Sequence, residues 1–180
     1  MLFRSKKGAP RLDPLGARVG PYQTMVQAVA MRTIGLGGDS EVRWIEEGMR
    51  VTLELGPRRA MPVSLLAVGH RSLVHAALER QMRADVARPS DARFVVPMPV
   101  SEAARAGLSL AEAALLDKIN GEPQAVEDVA ETRAESGALN RLVIHGLVLI
   151  SSLTPSDAAH VLGLHSGWDA DAARQAARLM

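Results

Sequence analysis

Thr33-Ile34-Gly35-Leu36-Gly37-Gly38-Asp39-Ser40 lies between two stretches that read as strands, Thr24 to Met31 and Glu41 to Ile45. Three glycines in four positions allow positive φ and let a backbone approach a ligand closely, which side chains would prevent. Asp39 and Ser40 add a carboxylate and a hydroxyl at the far lip. Such a loop can present amide N–H groups to an anion, as nucleotide-binding loops do. A Gly-rich hairpin or bulged turn between strands is written in the same letters, so the stretch alone supports both readings.

Working outward, the 180 residues suffice for one sizeable domain or two small ones, and 47% hydrophobic with 23% charged residues belongs to a globular chain. The net charge of +1 gives no general pull toward nucleic acid or anionic lipid, so any phosphate binding has to be local. Cysteine is absent, which excludes disulfides, thiol nucleophiles and Cys-liganded zinc and fits a reducing cytoplasm. The longest nearly apolar run, Leu142 to Leu153, is too short to span a bilayer, and Met1-Leu2-Phe3 ahead of Arg4, Lys6 and Lys7 is not a secretory signal. The expectation is a cytoplasmic protein without membrane or nucleic-acid partners. With only 3% aromatic residues, its core has to be built from Leu, Val, Ile, Ala and Met.

Before the loop, Pro10, Pro14, Gly16, Gly20 and Pro21 break any regular element over Met1 to Tyr22. Met25 to Met31 fits strand or helix by pattern, and its direct run into Thr33-Ile34-Gly35 favours strand. After the loop, Val42, Trp44 and Ile45 alternate, Glu46-Glu47-Gly48 turns, and Met49, Val51, Leu53 and Leu55 alternate again, a hairpin signal. The second strand is expected to stop at Gly56-Pro57. Arg58 and Arg59 then read as a solvated pair at a strand end, or as anion contacts near the glycine loop. Pro62 to Ala67 is apolar, and Ser72 to Met82 has helical spacing. His70 and His75, five apart, do not share a helix face and are poor metal ligands. Arg88 to Pro99 reads as a Pro-containing linker with one short strand candidate, Arg93 to Val96.

The second half opens on the capping box Ser109-Leu110-Ala111-Glu112, which starts a helix to about Ile119 before Asn120-Gly121. A second helix is expected from Pro123 and a third over Ala138 to His145, followed by a strand at Leu147 to Ile150. Three short helices and a strand is the layout of a winged helix. DNA binding is disfavoured by charge: Glu112, Asp117, Glu122, Glu127, Asp128, Glu131 and Glu135 outnumber Lys118, Arg133 and Arg141, and only Asn140 and Arg141 offer themselves as base readers. The module therefore reads as a packing or interaction element. Thr154-Pro155-Ser156-Asp157 caps the next helix, on which Asp157 and His160 share a face. That pair can cap, hold a metal or share a proton. Trp168-Asp169 opens a last helix with Ala172, Ala173, Ala176 and Leu179 in register. Ser151, Ser152 and His145 lack a Gly-x-Ser-x-Gly elbow, and no HExxH, P-loop or Rossmann fingerprint occurs.

Leu153-Thr154-Pro155-Ser156-Asp157-Ala158-Ala159-His160-Val161-Leu162-Gly163, followed by Trp168-Asp169 and Ala172-Ala173, resembles a segment of the hydantoinase/oxoprolinase family. Ile34 to Ser40 is similar to that family's Gly-rich stretch, and Leu55-Gly56-Pro57-Arg58 to the Gly-Pro-Arg that follows it. The resemblance implies a mixed α/β fold belonging to an actin/hexokinase-like ATPase. Residues 1–99 would be the strand-rich part of a C-terminal lobe, 100–153 a small winged-helix-like insertion, and 154–180 helices returning to the lobe. It also implies ATP with Mg as cofactor, contacts from Gly35, Gly37, Gly38, Asp39 and Ser40, and a small cyclic amide as substrate.

The family's upstream phosphate loop and Gly-Gly-Thr-type loop have no counterpart in the chain. Such ATPases bind nucleotide between two lobes, so the expectation is a C-terminal fragment or split subunit that works only with a complementary N-terminal lobe. The alternative is a non-catalytic protein-interaction module centred on Ser109 to Ile150.

Overall fold

The structure, a computed structural model, describes residues 37–48, 50–119 and 121–180, together with paired dipeptides between residues 2 and 32. The chain divides into two units, Met1–Gly35 and Leu36–Met180. In the first, Leu2–Phe3 pairs with Met31–Arg32, Ser5–Lys6 with Ala9–Pro10, Leu12–Asp13 with Ala28–Val29, and Arg18–Val19 with Tyr22–Gln23, all antiparallel. This corrects the expectation of no regular element before Tyr22. Pro10 itself sits in one of these pairs, opposite Ser5, so the prolines do not abolish pairing. Most of the Thr24 to Met31 strand, and Gly35 with it, falls outside the described residues.

The second unit begins with a hairpin, β1 (Ser40–Glu47) and β2 (Arg50–Arg59), turning at Gly48 with φ +65°. Its register runs from Arg50↔Glu47 to Leu55↔Val42. The strand does not stop at Gly56-Pro57 as expected. Gly56, at φ +63°, supplies a bulge that a side chain would strain, and pairing resumes at Arg59↔Ser40.

A four-stranded mixed sheet follows, in the order β3 (Met61–Pro62), β6 (Val148–Ser152), β4 (Phe94–Pro97), β5 (Gln124–Ala125). Strand β3 runs parallel to β6, and β4 runs antiparallel to both of its neighbours. The strand candidate expected at Arg93 to Val96 within the Arg88 to Pro99 linker forms as Phe94–Pro97 and lies in the sheet interior rather than in a linker: Phe94-Val95-Val96 is β-branched and aromatic enough to pair on both sides.

Period-two alternation in this sheet separates two cores. On one face Phe94 packs with Val63, Leu66, Val74, Leu78, Ala172 and Ala176, drawn from α1 (Val63–Gly69), α2 (Arg71–Met82) and α8 (Ala170–Arg178). On the other, Val95, Val148 and Ile150 pack with Leu115, Leu139 and Leu142 from α4 (Leu110–Lys118) and α6 (Arg133–Ile144). Short helices α3 (Glu102–Ala106), α5 (Val126–Val129) and α7 (Pro155–Val161) complete the unit. The protein is a mixed α/β fold, and none of its described helices is long and apolar enough to cross a membrane.

Two helices differ from expectation. Pro123 does not open a helix, because Gln124–Ala125 pairs with Val95 and Phe94 and only Val126–Val129 coils. Helix α6 starts at Arg133, five residues earlier than expected, through a capping box from Thr132 and Glu135. The box at Ser109 forms as read, and Arg141 donates to the same Glu112 carboxylate from α6. The Ser109 hydroxyl and amide, then Arg141, hold Glu112 well below the usual carboxylate range, to about 2.

Candidate functional site

The glycine loop is a tight turn. Ser40 N–H donates to the Gly37 carbonyl at 3.1 Å, and Gly37 N–H donates to Ser40 Oγ at 2.9 Å. Neither Gly37 nor Gly38 occupies the left-handed region, so positive φ is not what these positions require. Close approach is. A Cβ on Gly38 would lie 2.6 Å from Ser156 Oγ, and one on Gly37 would lie 2.8 Å from Asp39 Oδ1.

That approach exists because the loop is docked on the first turn of α7. Ser156 N–H, one of the four helix-start donors without an intrahelical partner, donates to the Gly38 carbonyl at 3.0 Å. Val42 N–H donates to the Leu153 carbonyl at 2.9 Å one strand residue further on. Arg59 then reaches back, its Nη1 donating to Asp39 Oδ2 at 2.8 Å, while Ala60 N–H donates to the Asp39 carbonyl at 2.8 Å. Three segments far apart in sequence, 37–40, 55–60 and 153–157, therefore meet at one place. Of the five predicted contact residues, Gly37, Gly38, Asp39 and Ser40 are together there, and Gly35 lies outside the described residues. Among the described residues, no acceptor takes the amides of Gly38 and Asp39.

A Gly38→Ala substitution is expected to destabilise the chain by about 1 kcal/mol, the scale of a modest overpacking. In a Ser156→Ala background the same substitution should be close to neutral, because the hydroxyl it meets is gone. Thermal unfolding of the two single variants and the double variant measures this coupling. Additive losses would show that Gly38 is required for some other reason.

Behind the loop, Asp157 is fully buried and caps two helices at once. Its Oδ2 accepts from Thr154 N–H and Thr154 Oγ1, both at 2.8 Å, and from Val63 N–H at 3.3 Å. Its Oδ1 accepts from Ser64 N–H at 2.9 Å and Ser64 Oγ at 2.5 Å. Helix α1 has Pro62 at its own cap position and no side-chain cap, so Asp157 supplies one from α7. Of the roles open to this residue, capping is the one that its partners fill. His160 looks elsewhere: its Nε2 accepts from Trp168 N–H at 3.2 Å, which leaves Nδ1 to donate to the Ser156 carbonyl at 2.8 Å. Its ring stacks on Trp168 and His165.

A second knot joins α2 to α8. Asp169 caps α8 through Asp171 and Ala172 N–H, and its other oxygen meets Arg71 and, at 3.0 Å, His75 Nε2. Burial pushes the Asp169 carboxyl up, but His75, the Ala172 amide and Arg71 together bring it below its ordinary value. His75 Nδ1 faces Gln175 Oε1 at 2.9 Å, so both ring nitrogens are engaged. No group of three or more potential metal-ligating side chains gathers among the described residues.

Other sequence candidates are dispersed. The Ser151 hydroxyl is buried without a hydrogen-bond partner, Ser152 Oγ donates weakly to the Leu153 carbonyl, and His145 is an exposed residue at the end of α6, so they form no nucleophile–base pair. Asn140 and Arg141 are engaged by Arg58 and Glu112. Sequence reading missed the cap that Asp157 gives α1 and the Asp169–His75 link, which join residues more than ninety positions apart. It also missed an ion cluster around Glu41. That residue is 1% exposed and follows the loop directly, a buried carboxylate for which the strand pattern gave no signal.

Neither a scan of protein-family models nor searches of curated proteins and of solved structures returns a match to this chain.

Proposed function

We propose that this chain is a C-terminal fragment or split subunit of a hydantoinase/oxoprolinase-like, ATP-dependent cyclic-amide hydrolase, built as part of an actin-like ATPase lobe and inactive without a complementary N-terminal lobe. The observation that supports this reading is the convergence of the three motifs that carry the resemblance. The Ser156–Gly38 hydrogen bond joins the loop 37–40 to the Thr154 to Asp157 cap, and Arg59, the residue that follows Gly56-Pro57-Arg58, donates to Asp39 in the loop. Motifs kept in order and also brought into contact behave as parts of one site.

The residues fit an anion in part. Gly37 and Ser40 amides are consumed within the turn, whereas those of Gly38 and Asp39 are available to phosphate oxygens. Bound ATP would supply a phosphoryl group to activate the amide oxygen. The fit to Mg is poor, because Asp39 is engaged by Arg59 and no group of three potential ligands gathers among the described residues. Both facts agree with a cleft whose other wall belongs to a second lobe.

Titration calorimetry with Mg-ATP checks this. The purified chain alone should bind ATP weakly, and the chain with a complementary lobe should bind it tightly and hydrolyse it in response to hydantoin or 5-oxoproline. Tight magnesium-dependent binding by the lone chain would contradict the divided site.

A second reading, a non-catalytic interaction module, is favoured by the winged-helix-like order α4, α5, α6, β6 and by the shallow groove that Ala111, Ala114, Leu115, Ala134 and Ala138 line between α4 and α6. Substrate-dependent hydrolysis by the completed enzyme, without any protein recovered through this groove, would eliminate it.

A further inference from the structure

One face of the hairpin gathers more positive charge than it neutralises. Arg93, the residue before β4, donates through Nη2 to Glu41 Oε1 at 2.8 Å, and Arg43 Nε lies 3.7 Å from Glu41 Oε2. Arg43 also donates to Glu54 at 2.6 Å. The Arg59↔Ser40 pairing sets Arg58 beside Glu41 across the strands, yet both Glu41 oxygens are already directed at the other two guanidinium groups. Arg58 meets only the Asn140 amide oxygen, at 3.4 Å, and has no carboxylate partner among the described residues. Among the described residues, three arginines thus face two glutamates, Glu41 and Glu54, and one positive charge is left over in a half-buried setting.

We propose that Arg58 and Arg93, with the side-chain amide of Asn140, form a binding site for a small oxyanion, a phosphate or carboxylate group borne by a metabolite. Two guanidinium forks present planar N–H donors that match oxyanion geometry, and an anion between them would offset the positive charge that Glu41 balances only in part. Asn140, having spent its carbonyl on Arg58, keeps its NH₂ to donate. Burial lowers the basicity of Arg93, Glu41 raises it, and the neighbouring Arg58 and Arg43 charges lower it again, in keeping with cations held close together. The site is separate from the glycine loop. Arg59, the next residue along β2, turns to Asp39 in the loop, whereas Arg58 turns to α6. It therefore stands whether or not the loop contacts a nucleotide.

Titration calorimetry of the full chain at low ionic strength, with inorganic phosphate in one arm and malonate in the other, tests the site. Saturable binding of either anion is expected, and binding of only one identifies whether the phosphate or the carboxylate source is preferred. Arg58→Gln should weaken binding roughly tenfold or more, the loss of one charge-assisted fork. Arg59→Gln should leave it unchanged. Circular dichroism of each variant verifies that the fold is kept, which is expected because Arg58 lies outside both cores. Absence of saturable binding in both arms overturns the proposal. So does wild-type affinity in Arg58→Gln, or loss of binding in Arg59→Gln, which would move the anion to the loop.

Discussion

Asp157→Ala is expected to destabilise the protein by about 3–5 kcal/mol, because it removes the cap of α1 and the carboxylate half of the α7 capping box and leaves buried donors without an acceptor. The amides of Val63, Ser64 and Thr154 and the hydroxyls of Ser64 and Thr154 all donate to this one carboxylate. Water cannot replace it, since Asp157, Ser64 and Thr154 are each fully buried. For a unit of this size the loss corresponds to a fall in Tm of roughly 10 °C. Thr154→Ala provides the comparison. It removes only the α7 cap, and about 1 kcal/mol should go with it. Thermal unfolding of the two variants decides the matter: equal losses would mean that the bonds from Asp157 to α1 contribute nothing, and that a single helix cap explains the residue.

Asp157 also shows what could be read in advance. The Thr154-Pro155-Ser156-Asp157 signature announces a helix start by local rules, as Ser109 and Glu112 do, and both form where the residues say. Thr132 and Glu135 carry the same signal and start α6 ahead of Ala138, where its buried apolar positions begin. The hairpin was legible from alternation around Gly48, whereas its continuation past Gly56-Pro57 was not, since a bulge hides behind residues that ordinarily end strands. Pairing of Phe94 with both Ser151 and Ala125, and therefore the interior position of that strand, depends on contacts across thirty to sixty residues that no local pattern encodes. The glycine loop was located correctly but for a different reason. Gly38 serves close approach to Ser156, a partner more than a hundred positions away, and Gly37 close approach to Asp39 within the loop.

Removing Glu41 is the other change expected to be severe. Glu41→Ala should cost about 3–5 kcal/mol, the scale for taking one partner from a buried ion pair, because among the described residues Arg93, Arg43 and Arg58 would then share a face with only Glu54 to offset them. Glu41→Gln separates charge from shape: it preserves volume and one hydrogen bond to Arg93, so what remains of the loss is electrostatic. If repulsion among the arginines is the cause, raising the salt concentration should recover part of the stability of Glu41→Gln, as screening weakens the interaction between partly exposed cations. Phosphate should recover more than chloride at equal ionic strength, by occupying the position between Arg58 and Arg93. Urea unfolding of wild type and Glu41→Gln in chloride and in phosphate measures each contribution. A variant as stable as wild type in all buffers would show that the cluster is a solvated surface network, in which the burial of Glu41 carries no energetic weight.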